Sequence, residues 1–297
     1  MGHSAVRTLT AVFLLVVCGP AGAHTEWVAD GNGQAFVAVA MLVAGALYAS
    51  GLTRLWRAAG RGRGVTHGEA WCYASGWAAL AVALLSPLDA MGERLFAAHM
   101  VQHELLMLLA APLLVIGRPL ATWSWALPAR MRYAVTGALA NPAWTTVWRA
   151  ITRPLAAWLL HAAAVWGWHA PALFNAARED SWMHILQHAS FFGTALLFWW
   201  SLLRPHPRRS MPGGALIYLF TTMVHTGLLG GLFVFSRTVW YPENSTGAAQ
   251  WGWTALEDQQ LGGLIMWIPG GLVYLAVALL LLARALSPGH GGKAVYR

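Results

Sequence analysis

Apolar residues run through this chain in long blocks rather than alternating with polar ones, and short loops rich in Arg, Gly and Pro separate the blocks. Blocks of about 20 apolar residues have the length of membrane-crossing helices. The pattern predicts about seven of them, near 34–56, 69–87, 93–117, 154–169, 180–203, 213–236 and 259–284. Between the third and fourth, residues 119–150 mix Trp123, Trp125, Trp144 and Trp148 with Arg130, Arg132 and Arg149, and Pro128 and Pro142 break the stretch. That mixture reads as an amphipathic segment lying at the membrane interface. The expected architecture is all-α: a polytopic membrane helix bundle over residues 24–297, forming a single transmembrane helical domain.

The first 23 residues have the make-up of a cleaved signal peptide. Arg7 is followed by the apolar core Leu9 to Val17 and the small-residue site Ala21-Gly22-Ala23. Cleavage would leave His24 as the N-terminus, where amine and ring nitrogen together can chelate copper. A chance histidine after the cut is the plainer reading, and an uncleaved extra helix is the alternative. Loop charge then sets the orientation. Arg57, Arg61, Arg63, Arg118, Arg204, Arg208 and Arg284 fall in one set of loops, whereas the other set holds only Arg94, Arg178 and Arg237. Cytoplasmic loops carry the excess of Lys and Arg. The mature N-terminus is therefore expected outside and the C-terminus in the cytoplasm.

Composition changes this picture in two places. Apolar residues make up 58% and charged residues 10%, which excludes an ordinary soluble protein. The net charge of +8 does not point to nucleic acid, because the basic residues sit in the loops between apolar blocks. Two cysteines, Cys18 and Cys72, supply neither a disulfide framework nor a thiolate metal cluster.

The candidate chemistry is a motif that occurs twice. His99-Met-Val-Gln102-His103 and His184-Ile-Leu-Gln187-His188 both read His-x-x-Gln-His. Residues four apart stack on one helix face with Cβ atoms about 5–6 Å apart, so each motif offers two imidazoles together. Both blocks start outside, which puts His99 about 9 Å and His103 about 15 Å along the third helix at 1.5 Å per residue. His184 and His188 fall at comparable depth in the fifth. His169, in Trp166-Gly-Trp168-His169, belongs to the same outer half; His161 and His225 fall near mid-span. Ionisable groups within a bilayer mark relays, pathways or metal sites. A lone histidine there is more often an interhelical hydrogen bond, and His161 is read that way; for His225 both readings stay open. The matched pairs point to a shared metal or cofactor, against a polar packing network or a proton relay.

Imidazole suits copper, zinc and iron, and thioether suits Cu(I). Met100, Met107, Met223 and Met266 lie in or near these helices, although methionines in such helices mostly pack. Two haems on opposite leaflets would need ligands about 13 residues apart on one helix at 1.5 Å rise, not four; a single bis-histidine haem remains open. Asp258, in Glu257-Asp258-Gln259-Gln260-Leu-Gly262-Gly263, either accepts an N–H from a liganding histidine or caps its own helix. Gly262 and Gly263 permit close helix approach. Asp89 and Glu93, after Ser86-Pro87, read as helix-start carboxylates, with cation collection at the outer rim the lesser alternative. The loop 238–257, with Trp240, Tyr241, Trp251 and Trp253, is expected at headgroup level over the same face.

Ser86-Pro87-Leu-Asp89, the two His-x-x-Gln-His motifs, Trp168-His169-x-Pro171 and Asp258-Gln-Gln260-x-Gly-Gly-x-Ile-Met-Trp267 together resemble the multi-span CtaG-type cytochrome c oxidase assembly factors. The likeness extends over residues 34–284. It implies a non-enzymatic protein of the bacterial inner membrane that helps to build haem–copper oxidase by delivering or inserting copper, with oxidase subunits, copper ion and the lipid bilayer as partners. Carried onto this chain, His99, His103, His184 and His188 are the expected metal ligands. His169, His225, Asp258, Gln102, Gln187 and Met266 are expected in support. The rival functions are a haem-binding electron carrier, a copper permease and a purely structural assembly scaffold. A nearly bare inner half of the bilayer argues against the permease.

Overall fold

The computed structural model describes residues 31–204 and 212–287, and those residues form helices and turns with no strand. The signal-peptide expectation, His24 and Arg208 lie outside the described residues. Twelve helices are used below: α1 (Gly31–Ala59), α2 (His67–Leu85), α3 (Pro87–Gly92), α4 (Phe96–Ile116), α5 (Pro119–Ala126), α6 (Ala129–Leu139), α7 (Pro142–Ile151), α8 (Pro154–Trp168), α9 (Pro171–Glu179), α10 (Ser181–Leu203), α11 (Pro212–Val234) and α12 (Ala255–Leu286).

Local chemistry sets most helix starts. Thr66 with Glu69 and Thr254 with Glu257 form capping boxes that open α2 and α12. Asp180 caps α10 by accepting from the Met183 N–H at 2.8 Å. Ser86, not Asp89, caps α3, with Pro87 in the first turn. Asp89 is thereby left free of any capping duty.

Each of the seven apolar blocks folds as a long helix, but only α1, α4, α11 and α12 are both long and apolar enough to cross a membrane on those grounds alone. The count of about seven spans therefore stands at four by this measure. The reasons are local. α8 has 15 residues before the turn at His169. α10 has 23 residues but carries His184, Gln187, His188, Ser190 and Thr194. α2 is diluted by Glu69, Trp71 and Tyr73 near its start. In α10 the apolar pattern is spent on a polar face that turns into the bundle, where Gln187 and His188 are buried.

The stretch after α4 breaks into α5, α6 and α7 at its prolines, and neither α6 nor α7 buries a residue. Arg132 stacks over Trp125 at 4.1 Å, and Trp148 meets Trp200 edge-on at 5.5 Å. α11 and α12 cross closely at glycines. A Cβ on Gly230 would fall 2.7 Å from the Gly263 carbonyl oxygen, and one on Gly263 would fall 2.6 Å from that of Gly230.

α4 contains one turn of wider pitch, Leu105–Ala110, in which the Ala111 N–H reaches the Leu106 carbonyl five residues back. Pro112 opens a gap in this ladder. In the same register its nitrogen would serve the Met107 carbonyl, but proline has no N–H. The Trp199 indole of α10 donates to that carbonyl at 2.8 Å instead. Further along, Arg204 donates to the Val115 carbonyl at 2.6 Å. α4 and α10 thus run in the same direction, with later residues of one beside later residues of the other.

Candidate metal centre

Because α4 and α10 run in one direction, their two His-x-x-Gln-His motifs come side by side. Ring centroids lie 4.2 Å apart for His99–His103 and 4.3 Å for His184–His188, as four-residue spacing requires. Across the helices His99–His184 is 5.7 Å, His99–His188 5.9 Å and His103–His188 5.4 Å. His99, His103 and His188 are buried and His184 is half-buried, at the open side of the group. Phe174 of α9 stands 5.3 Å from His99, and Phe191 of α10 4.5 Å from His103, so aromatic rings wall the cluster.

His169 joins as a fifth imidazole, its ring 6.1 Å from His103. Its Nδ1 lies 2.6 Å from the Val165 carbonyl oxygen. A carbonyl can only accept, so Nδ1 carries the proton, and in the neutral ring Nε2 keeps the lone pair. Tyr241, buried in the 238–257 loop, donates its hydroxyl to the His169 carbonyl and stacks on Phe174 at 4.0 Å. Burial pushes the Tyr241 phenol up, which keeps it a donor. The headgroup placement expected for this loop's aromatics is corrected for Tyr241, which is drawn inward by that hydrogen bond; Trp251 and Trp253 stay exposed.

One nitrogen from each of His99, His103 and His188 lies within 4.8 Å of the other two, and so do one oxygen of Asp89 and one nitrogen each of His184 and His188. His188 belongs to both groups. His99 Nε2, His103 Nδ1 and Nε2, His169 Nε2, His184 Nε2 and His188 Nε2 are buried without a hydrogen-bond partner. Buried polar atoms are almost always paired. Unpaired ring nitrogens close enough to share one ligand fit a bound cation.

The remaining expected residues are dispersed. Gln102 turns away from the imidazoles and donates to the Ala83 carbonyl at 2.7 Å and to Asp89 Oδ1 at 2.6 Å, tying Asp89 to α4. Gln187 is buried, with its Oε1 unpaired. Asp258 fulfils neither expectation. It accepts from the Phe96 and Ala97 N–H groups at 2.8 and 3.0 Å and from the Ser245 hydroxyl at 2.7 Å, so it caps α4 rather than its own helix or a histidine. α4 needs this, because Leu95 offers no side-chain cap. His225 sits apart, accepting from the Trp166 indole at 3.4 Å. Met266 lines a separate cavity beside Glu104. Asp89 lies in the first turn of α3, as a helix-start carboxylate should, and also stands beside His184 and His188. Glu104 is the residue that sequence reasoning missed. An ionisable residue directly after His103, inside an apolar run, was the available signal.

A family model for cytochrome c oxidase caa3 assembly factors matches residues 46–287. The chain belongs to that family. The matched stretch contains all five clustered imidazoles together with Asp89 and Asp258. An uncharacterised protein of Mycobacterium leprae is 24% identical over 264 residues, covering 86% of this chain but 40% of that protein. The chain thus spans under half the length of this relative. No solved structure matches.

Proposed function

We propose that the chain binds copper as cargo at the five-imidazole cluster and hands it to a haem–copper oxidase during assembly. The family supplies the oxidase-assembly setting. The observation that carries the copper reading is the set of buried, unpartnered imidazole nitrogens contributed by α4, α10 and the end of α8. Neutral imidazoles suit copper, and a site of neutral ligands in low coordination number binds Cu(I) while leaving it transferable. Asp89, half-buried beside His184 and His188, adds one oxygen donor at the mouth of the group. His188, common to both triads, is the natural pivot between a mouth position and an inner one. The rings pack in direct contact with each other, which favours an ion over a macrocycle between two of them.

In this reading all seven long helices cross the inner membrane, α6 and α7 lie at its surface, and the cluster opens toward the periplasm, where the positive-inside rule puts the starts of α4 and α10. The protein performs no chemistry on the ion.

The test is metal analysis of detergent-purified protein, wild type against His99→Ala/His188→Ala, together with the copper content of the oxidase in cells carrying either form. The expected outcome is copper in the wild type, none at this site in the variant, and a copper-poor oxidase. Wild-type protein without copper, alongside a variant that leaves the oxidase fully metallated, would remove the reading. A melting curve for both forms separates it from a scaffold role, in which activity would fall only in step with stability.

A further inference from the structure

About one helical turn beyond the imidazole cluster, α4, α8, α11 and α12 converge on a small cavity that holds about one water molecule. Glu104, Met107, His161, Thr226, Met266 and Tyr274 line it. Glu104 follows His103 directly but points to another side of α4, toward α12, where a Cβ on Gly270 would stand 3.5 Å from its Oε2. That Oε2 is buried and has no hydrogen-bond partner. A buried carboxylate is either neutral or paired with a cation.

The backbone around the cavity is also irregular. The wide-pitch turn of α4 begins at the next residue, Leu105, and such turns are frequent at functional sites. On the opposite wall Pro269 interrupts the ladder of α12 between Met266 and Gly270, since it cannot donate to the Ile265 carbonyl. Both helices that supply a methionine therefore depart from regular geometry beside the carboxylate.

We propose that this cavity is a second metal site, for a monovalent thiophilic cation, Cu(I), held by the Glu104 carboxylate and the Met107 and Met266 thioethers, with His161 at its edge. Charge selects the oxidation state. One carboxylate balances one monovalent ion, whereas a divalent ion would leave a net positive charge inside the bundle. The thioethers select a soft ion over Na⁺ or K⁺. His161 is held by Thr194, whose hydroxyl lies 3.1 Å from its Nδ1. His161 and His169 lie eight residues apart along α8 and its C-cap, which is about 12 Å at 1.5 Å per residue. The same helix thus borders both sites, and the second one extends the ion's route inward from the first. The proposal takes the identity of the ion from the copper reading above, but its location and donor set stand apart from the imidazole cluster.

The experiment loads detergent-purified full-length protein with Cu(I) under anaerobic conditions, then counts bound copper per chain and records X-ray absorption at the copper edge. The forms compared are wild type, His99→Ala/His188→Ala, Met107→Leu/Met266→Leu and Glu104→Gln. Wild type is expected to hold two ions, with both nitrogen and sulfur scatterers. The histidine variant should keep one ion with sulfur scattering, and the methionine variant one ion with nitrogen scattering alone. Glu104→Gln should lose the sulfur-bound ion. Leu for Met conserves volume and keeps the test valid if Glu104→Gln does not fold. One ion per wild-type chain with no sulfur scatterer, or an unchanged spectrum in the methionine variant, overturns the second site. A single sulfur-bound ion in the wild type, with no nitrogen-bound one, would support the second site and count against the imidazole cluster.

Discussion

Asp258 shows how one side chain can hold a site that it does not touch. Its carboxylate ends the otherwise uncapped start of α4, three residues before His99, and Ser245 orients it from the loop above. Removing it leaves two buried N–H groups without acceptors, and an unsatisfied buried group costs about 1–3 kcal/mol. Asp258→Ala is therefore expected to lower the melting temperature of the detergent-purified protein and weaken copper retention, whereas Asp258→Asn, which keeps an acceptor oxygen, should lose less of both. Equal melting curves for wild type and Asp258→Ala would show that the cap contributes nothing. At this scale the sequence displayed the residue types but not their partners. Asp258 and Phe96 are 162 positions apart, and a cap over that distance leaves no local pattern.

Among the helices, the pairing of α4 with α10 decides the geometry of the centre. The proline at 112 removes a donor, the turn before it widens, and the Trp199 indole takes the vacant place at the Met107 carbonyl. That bond fixes one helix against the other about one turn below His103. If Trp199 compensates for Pro112, the two positions are coupled. Trp199→Phe should then destabilise by about 1–3 kcal/mol in the wild-type background, the cost of a buried unpaired carbonyl, and by less in Pro112→Ala, where the main chain can supply the donor. A double-mutant cycle read by denaturant unfolding measures the difference; purely additive effects would mean that the indole bond and the proline are unrelated. Helix starts were legible at this scale, since Thr66-Glu69, Thr254-Glu257 and Asp180 carry their signals within a few residues. The wide turn was not, because it reflects how α4 meets its neighbours as much as its own residues.

For the whole molecule the question is which side of the membrane the centre faces. The loop between α11 and α12 covers the start of α4, with the Gly247 N–H donating to the Arg94 carbonyl at 2.9 Å, so this loop and the imidazole cluster share one end of the bundle. The basic turn between α1 and α2 carries Arg61 and Arg63. In a Cys18→Ser/Cys72→Ser background, Trp251→Cys is expected to react with a membrane-impermeant maleimide in intact spheroplasts, and Arg63→Cys only after permeabilisation. The reverse pattern would turn the centre toward the cytoplasm and end the periplasmic copper reading.

The sequence by itself determined the helical class, the family, the breaks at the prolines and the pairing of the four motif histidines along the chain, because each rests on residues a few positions apart and the bilayer forces long apolar blocks into helices. Loop charge gave both blocks one expected direction, and α4 and α10 do run alongside each other in a single direction. Only the tertiary structure decided that α4 and α10 are neighbours, that His169 and Asp89 join the group while His225 and Met266 stand elsewhere, and that Glu104 looks into a cavity of its own. Rotation of a helix about its axis and the choice of its neighbours come from side-chain packing across the bundle, where contacts such as Asp258 to Phe96 or Trp199 to Met107 link residues that the chain keeps far apart.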